Sequence, residues 1–364
     1  MIVARAPLRL SFFGGGSDFP EVFERQPGAV LSTAIDLSVH VSVRRPPAGA
    51  FERPLRLVHA EIEEHDDVAE IRHPLLRSAL ERRGVEPPLE IHSSGDLPAG
   101  LGLGSSSSFC VALLTALDAL EGHRRSPLER AYEAIALERA VCGGTVGVQD
   151  QVIASLGGMQ RFDFHAVDDV RATTVALDAA RREALERHLV LVRVGAARSA
   201  PRVERRKLER LAANASALRG MVALVDSAFD LLAGDGPLEP LGALLDATWA
   251  AKRRLAPGVT TPEIDALYRA CRAAGALGGK LLGAGAGGFL LLFAPPEVMP
   301  AVLAATRTPD GQPRVTLRPR LAAPGAHLLT NETVSGANSA SSATKTSSAS
   351  RPSRAVAAAS TGRG

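Results

Sequence analysis

Hydrophobic and polar residues alternate along much of the first half of the chain. In residues 29–44, the valines at positions 39, 41 and 43 fall on one face, opposite two serines and a histidine. Because successive side chains of a β-strand point to opposite faces, this pattern predicts a strand. Residues 2–13 predict another strand, which ends at the glycine run 14–16. Shorter strands are predicted at 55–59, 89–93, 159–164, 189–194 and 314–320.

A helical period replaces the alternation in the middle of the chain. The continuous apolar run 288–294 is short and predicts a buried central strand. The chain is therefore mixed in helix and strand. The spacing of apolar residues and the capping residues predict helices from Ser105 to about Leu120, from Ser126-Pro127 to Gly143, over 201–233, over 238–255, and from Thr261 to Gly275.

Length and charge narrow the class of protein. A chain of 364 residues predicts about two domains, and 46% hydrophobic with 22% charged residues is typical of a globular protein. The formal net charge of +3 arises in residues 330–364, because residues 1–329 carry 38 basic and 38 acidic residues. Such a neutral body lacks the basic surface of a nucleic-acid-binding protein. Residues 330–364 are mainly Ser, Ala, Thr, Arg and Gly, which predicts a disordered tail.

Cysteine usage and hydropathy predict a cytoplasmic protein. Cys110, Cys142 and Cys271 lack paired spacing and lie in apolar helical contexts, so we expect buried free thiols in a reducing compartment. The N-terminal residues lack the apolar core of a signal peptide, and no apolar run approaches about 18 residues, so no membrane association is expected. Only four of the 42 basic residues are lysines, which is typical of GC-rich coding and by itself indicates no function.

The segment 97–108, LPAGLGLGSSSS, opens directly into the predicted helix at Ser105. Glycines let the backbone approach a ligand closely, and the free N–H groups and dipole of a helix N-terminus attract anions. A loop that wraps phosphate groups is therefore the favoured interpretation. The alternative is a flexible loop with a serine cap, but one cap needs one serine rather than four.

The segment 280–293, KLLGAGAGGFLLLF, satisfies G-x-G-x-x-G but precedes a strand, unlike a dinucleotide-binding loop. Tight glycine packing before a buried strand remains an alternative. A Walker A motif is missing, because Leu281 follows Gly279-Lys280 where Ser or Thr is required. The protein-kinase signatures are missing as well.

Two further segments carry candidate carboxylates. In residues 5–19, RAPLRLSFFGGGSDF, Asp18 either accepts hydrogen bonds from sugar hydroxyls or caps a glycine turn. In residues 138–151, Glu138 lies late on a predicted helix and Asp150 follows a glycine-containing loop. Asp150 is either a helix N-cap or a carboxylate presented to a reacting hydroxyl.

Together, in this order, the segments APLRLSFFGGGSD, PAGLGLGSSSS and KLLGAGAGGF resemble those of the GHMP small-molecule kinases. The resemblance covers about residues 1–325. It implies an α+β fold in two domains with a cleft for ATP and substrate: a ribosomal-S5-like domain with the phosphate loop over 1–175 and a ferredoxin-like domain over 176–329. Residues 330–364 would remain a disordered tail.

The resemblance also implies roles for single residues. Asp150 would take the proton of the attacking hydroxyl, and Arg9 would lie near it and stabilise the transferring phosphoryl group. Ser106 and Glu138 would help to hold Mg²⁺. ATP would contact Pro98, Gly100, Leu101, Gly102, Leu103, Gly104, Ser105, Ser106 and Ser107. Substrate would contact Gly15, Gly16, Ser17, Asp18, Arg198, Gly285 and Gly287.

Further similarity, in GVQDQVIASLGGMQRFDF and ALGGKLLGAGAGGFLLLFAPPE, is to members that phosphorylate a heptose phosphate. It implies ATP-dependent phosphorylation of the anomeric hydroxyl of D-glycero-D-manno-heptose 7-phosphate to the 1,7-bisphosphate. Arg198 is the first candidate for the 7-phosphate, ahead of Lys252 and Arg253. A kinase of a fucose or galactose type, and a ligand-binding protein that has lost catalysis, stay open as alternatives, as does a homodimer.

Overall fold

The fold is described from a computed structural model, over residues 1–195, 200–308 and 310–331. Its strands are β1 Ile2–Phe13, β2 Gly28–Arg44, β3 Leu55–Val58, β4 Ile62–His65, β5 Leu89–Gly95, β6 Met159–Ala166, β7 Asp169–Thr174, β8 Leu189–Arg193, β9 Gly278–Leu281, β10 Phe289–Phe293, β11 Thr316–Leu317 and β12 His327–Asn331. Its helices are α1 Pro20–Phe23, α2 Pro74–Arg83, α3 Ser105–Glu121, α4 Pro127–Val141, α5 Gln149–Leu156, α6 Ala179–His188, α7 Ala200–Glu209, α8 Leu211–Ala233, α9 Pro240–Lys252, α10 Pro262–Ala273 and α11 Met299–Ala305.

The larger sheet has eight strands and is built around the long antiparallel pair β1 and β2. Its main path runs β12-β1-β2-β5-β3-β4, and β6 pairs with the first half of β2 and with β7. The alternate apolar residues of β1 and β2 are buried, as the sequence pattern predicts. Helix α3 packs on these two strands, which brings its N-terminus close to the middle of β1.

The smaller sheet has four antiparallel strands in the order β11-β8-β10-β9. Its central strand β10 is fully buried, as the apolar run predicts. A separate core cluster that includes Trp249 and Tyr268 covers one face of this sheet. The domain division at 175 and 176 remains a prediction.

Some elements differ from the sequence prediction. The pattern over 201–233 forms two helices, α7 and α8, that are separated at Arg210. Cys142 is exposed rather than buried, because it is the C-cap of α4 and lies beyond the last packed turn; Cys110 and Cys271 are buried free thiols, as predicted. The elements not predicted from the sequence are the helices α1, α2, α5, α6 and α11 and the strands β4, β7, β9 and β12.

The predicted tail starts too early. Thr330 and Asn331 pair with Val3 and Ile2, so they belong to β12 and to the larger sheet. Residues 332–364 lie outside the described residues. Within the described part of the chain, no helix is both long and apolar enough to cross a membrane.

Candidate active site

Arg9 and Asp150 form the centre of the candidate site. Arg9 lies in the middle of β1, and Asp150 is the second residue of α5. The Nε atom of Arg9 is 2.7 Å from Oδ1 of Asp150, and Nη2 is 2.6 Å from Oδ2. Such a two-point pair fixes the plane of the carboxylate as well as its position. Asp150 is not the N-cap of α5, because Val148 occupies that position.

The glycine- and serine-rich loop ends against this ion pair. Gly104 is the N-cap of α3, with a φ of 77° and no capping side chain, so the serine cap proposed as an alternative is not formed. The first N–H groups of α3 therefore keep no intrahelical partner and can bind an anion. Arg9 also donates from Nη1 to the carbonyl of Gly102, at 2.5 Å. The guanidinium thus joins the loop to Asp150.

The residues predicted to contact ATP along this loop fall into a buried set and an exposed set. Leu101 and Leu103 bury their side chains in the core, so that only their backbone can face a nucleotide. Pro98, Gly100 and Ser106 are exposed. The buried leucines anchor the loop, while Gly100 and, at the start of α3, Ser106 stay exposed.

Glu138, on α4, accepts three hydrogen bonds. The hydroxyls of Ser106 and Ser107 donate to Oε1 and Oε2, each at 2.6 Å, and the amide of Gln151 donates to Oε2 at 2.6 Å. Burial raises the pKa of the Glu138 carboxyl. Among the described residues it has no basic side chain within ion-pair distance. The buried Glu138 carboxylate has no counter-cation in the described part of the chain, and the Ser106 hydroxyl lies beside it. Both offer oxygen atoms, the hard ligands that Mg²⁺ prefers, so the pair fits this ion.

A cavity of about 170 Å³ lies beside Arg9 and Asp150. Three of the residues predicted to contact substrate, Gly15, Gly16 and Asp18, line it. Oδ1 of Asp18 accepts a hydrogen bond from the backbone N–H of Gly16 at 2.9 Å. Burial and the nearby carboxylate of Asp150 raise the pKa of Asp18. The turn after β1 therefore presents polar backbone and a carboxyl group to the same space as the ion pair.

Other predicted substrate residues do not reach the cavity. Ser17 is buried, and its hydroxyl donates to the carbonyls of Gly14 and Ala29, so it holds the turn. Gly285 packs against the backbone of Val259, and neither it nor Gly287 lines the cavity. Arg198 lies outside the described residues.

Comparison with known sequences identifies the family of this chain. The profiles of the GHMP kinases N terminal domain and GHMP kinases C terminal match residues 71–158 and 228–307. A mevalonate kinase of Methanothermobacter thermautotrophicus is 31% identical over 229 residues, which are 60% of this chain and 69% of that protein. This chain belongs to the GHMP kinases. It is therefore a kinase of a family that uses ATP, and the predicted fold class is confirmed.

Other relatives of this GHMP kinase cover more of the chain. A D-glycero-alpha-D-manno-heptose 7-phosphate kinase of Campylobacter jejuni is 27% identical over 320 residues, 85% of this chain and 94% of that protein. A crystal structure of a D-glycero-D-manno-heptose 1-phosphate kinase of Bacteroides thetaiotaomicron has a TM-score of 0.73. It is 20% identical and the match covers 92% of this chain and all of that one, which shows a common fold.

The third glycine motif of this GHMP kinase packs on the phosphate loop. A Cβ added to Gly283 would lie 2.6 Å from the Cα of Gly102, closer than any real Cβ contact. Likewise, a Cβ on Gly288 would lie 2.5 Å from the carbonyl oxygen of Leu101. The proposed tight packing before a strand is therefore present. It places Gly283 and Ala284, not Gly285 and Gly287, at the cavity.

The sequence analysis named Lys252 only behind Arg198 as a phosphate-binding candidate, and it missed Lys207 and Lys280. Lys207, Lys252 and Lys280 line the cavity and are all buried, although only four lysines exist in the whole chain. The scarcity of lysine was interpreted as coding bias alone. Because 38 of the 42 basic residues are arginines, the four lysines stand out, and this contrast was the available signal. Arg253, the neighbouring candidate, instead pairs with Asp265 outside the cavity.

Proposed function

We propose that this GHMP kinase transfers the γ-phosphoryl group of ATP to the anomeric hydroxyl of D-glycero-D-manno-heptose 7-phosphate. The products would be ADP and the 1,7-bisphosphate. The observation that carries the proposal is the Arg9–Asp150 pair, which lines a polar cavity and lies beside the uncapped N-terminus of α3. The similarity to the Campylobacter jejuni heptose 7-phosphate kinase supports the choice of acceptor.

In the proposed reaction, the anomeric oxygen forms a bond to the γ-phosphorus while the bond from that phosphorus to the β,γ-bridging oxygen breaks. Asp150 receives the proton of the anomeric hydroxyl. Arg9 holds Asp150 in place through two hydrogen bonds and supplies positive charge beside the transferring group. Because the transition state of phosphoryl transfer is loose, positioning and charge contribute more than basicity.

The donor side would be formed by the loop and α3. The backbone N–H groups at the start of α3 would bind phosphate oxygens, because they lie at the positive end of the helix dipole, which attracts anions. Ser106 and Glu138 would hold Mg²⁺, which neutralises charge on the phosphates of ATP when bound. The hydrogen bonds from Ser107 and Gln151 orient the Glu138 carboxylate for that role.

The polarity of the cavity supports a sugar as acceptor. Ser11 Oγ and Gln149 Oε1 are buried, line the cavity and have no hydrogen-bond partner. Buried polar atoms are normally paired, so each is available to a hydroxyl of a bound ligand. Asp18 adds a third polar group in the same wall. A polyol fits these groups better than an apolar acceptor does.

The proposal is tested by incubating the protein with ATP and Mg²⁺ and a panel of acceptors: heptose 7-phosphate, unphosphorylated heptose, fucose, galactose and mevalonate. Release of ADP measures turnover, and phosphorus NMR of the product identifies the new bond. We expect the greatest kcat/KM with heptose 7-phosphate and a new anomeric phosphate resonance. Higher kcat/KM on any unphosphorylated acceptor would reject the heptose phosphate and leave a kinase of another acceptor. Tight sugar binding with no turnover on any acceptor would instead support the ligand-binding alternative.

A further inference from the structure

Three lysines meet in the cavity from three separate elements. Lys207 comes from α7, Lys252 is the last residue of α9, and Lys280 lies in β9. Lys252 is 5% exposed and Lys280 is 2% exposed. Ammonium groups are among the groups that proteins bury least often. Two nearly inaccessible lysines in the wall of one cavity therefore need an explanation beyond packing.

The two most buried lysines are held by backbone carbonyls. Lys280 donates to the carbonyls of Ser11 and Phe12 at 2.7 and 3.0 Å. Lys252 donates to those of Leu281 and Gly283 at 2.8 and 2.5 Å. An ammonium group has three donors. Each of these lysines therefore keeps one N–H for a ligand.

The acidic groups of the cavity are largely committed elsewhere. Asp150 is paired with Arg9, and Glu204 is paired with Lys207 at 2.7 Å. Over the described residues, no carboxylate lies within ion-pair distance of Lys252 or Lys280. The cavity thus contains two buried amino groups without an ionic partner, and keeping them protonated is costly unless an anion completes the site.

The surroundings of these ammonium groups agree with that conclusion. Burial, and then the charges of Lys280 and Lys207, lower the pKa of Lys252 well below its usual value, although Glu204 opposes this shift. Burial and Arg9 lower the pKa of Lys280 to about 7, and Lys207 adds to this effect, whereas Asp18 opposes it. A bound anion would relieve both the burial cost and the mutual repulsion.

We propose that Lys252 and Lys280 form a phosphate subsite that binds the phosphate group which the acceptor sugar already carries. This inference rests on the proposed function. The cavity favours the acceptor over ATP as the source of the phosphate, because it is lined by Gly15, Gly16 and Asp18 and by no residue of 98–107.

Inorganic phosphate provides the first test. In the wild-type kinase, we expect phosphate to inhibit competitively against heptose 7-phosphate and non-competitively against ATP. Isothermal titration calorimetry should detect phosphate binding in the absence of both substrates. Competition with ATP alone would assign the lysines to the transferring phosphoryl group and overturn the proposal.

Variants give the second test. Lys252→Met and Lys280→Met should each lower kcat/KM for heptose 7-phosphate about 10–100-fold more than kcat/KM for unphosphorylated heptose, which is the effect of one charge-assisted hydrogen bond. Arg253→Gln is the matched control, because this neighbouring residue pairs with Asp265 outside the cavity. Equal losses on both sugars in both variants would overturn the proposal.

The outcomes separate this inference from the proposed function. Turnover of heptose 7-phosphate without competitive phosphate binding would reject the lysine subsite and leave the function intact. Phosphate binding that is lost in Lys252→Met, without turnover of any sugar phosphate, would support the anion site and reject the proposed reaction. If a variant does not fold, the inhibition pattern of the wild-type kinase still decides.

Discussion

Arg9 and Asp150 lie 141 positions apart in the chain and form a two-point ion pair at 2.6–2.7 Å. The same guanidinium binds the carbonyl of Gly102. The group proposed to receive the proton is therefore positioned by the side chain that also fixes the donor loop. Disturbing either partner should affect catalysis before it affects folding, since the pair lies at the edge of a cavity rather than in the core.

Asp150→Asn should lower kcat by about 10²–10⁴-fold, the usual effect of removing a positioned acid–base group. KM for ATP should change little, because the carboxylate faces the acceptor cavity. Steady-state kinetics measure both constants. Asp226→Asn, which removes an exposed partner of Arg161, serves as the control. Turnover near the wild-type value in Asp150→Asn would rule out the assigned role.

Ser106→Ala and Glu138→Gln should each raise the Mg²⁺ concentration that gives half-maximal activity, since both residues are proposed to hold one ion. Titration of Mg²⁺ at fixed ATP measures this midpoint. Ser227→Ala removes an exposed helix hydroxyl and should leave it unchanged. An unshifted midpoint in both site variants would remove these residues from the metal site.

Gly104→Ala should lower kcat about 10–100-fold, because misplacement of reacting groups by an ångström has effects of that size. The added Cβ would lie 3.1 Å from Cγ of Arg9 and 3.3 Å from Oδ2 of Asp150. Gly122→Ala is a close control at the other end of α3: its φ is 73° against 77°, but its Cβ meets open space. Both variants carry similar backbone strain, so comparable kinetics would contradict the expectation.

Anion binding above pH 7 should take up protons. Burial lowers the pKa of Lys280 from 10.5 to about 7, with Arg9 and Lys207 acting in the same direction and Asp18 opposing them. At pH 8 its amine is largely neutral, and a bound anion restores the proton. Calorimetry with sulfate in buffers of different ionisation enthalpy measures the uptake, because the charge of sulfate is constant in this range.

The lowered pKa of Lys280 also determines how the free energy of unfolding changes with pH. Between pH 7 and 10.5, the unfolded chain holds a proton on Lys280 that the folded chain has released. The free energy of unfolding should therefore rise with pH across this window through this group. Lys280→Met should reduce that slope in denaturant titrations at pH 7.5 and 9. An unchanged slope, together with no proton uptake on sulfate binding, would contradict the lowered pKa.

Truncation after Asn331 should leave the melting temperature and kcat unchanged, because residues 332–364 have few large apolar side chains to bury. Truncation after Ala326 should lower the melting temperature by several degrees, since it removes β12 and exposes the edge of β1. Thermal unfolding followed by circular dichroism compares the two. Equal melting temperatures would mean that β12 contributes nothing to the sheet.

The sequence predicts local features of this kinase well and long-range ones poorly. The alternation in β2 and the capping residues Ser126 and Thr261 are local signals, and the structure has the expected elements. Helix α6 was missed because it buries only Leu185 and His188, which is too few apolar positions for a helical period. Strand β9 was missed because it is four residues long and begins with two glycines.

The candidate site also has a part that local sequence predicts and a part that depends on long-range contacts. The phosphate loop is continuous in sequence, so its glycines and serines indicated an anion site without knowledge of the fold. The bond from Lys280 to the carbonyl of Ser11 joins residues 269 positions apart. Nothing in local spacing predicts such a contact, because it depends on how the two sheets meet. The resemblance to a family supplied the roles of Arg9 and Asp150, but it did not supply the lysines.

The distribution of lysine also gives this kinase an unusual chemical property. Every lysine among the described residues lies in the wall of one cavity and is at most 9% exposed. In most proteins, an amine-reactive reagent labels a scatter of surface lysines. Here, within the described part of the chain, side-chain labelling would report on the acceptor cavity itself. Mass spectrometry of the peptide that carries Lys207, the most exposed of the three at 9%, would then follow acceptor occupancy as protection of that side chain, without any engineered probe.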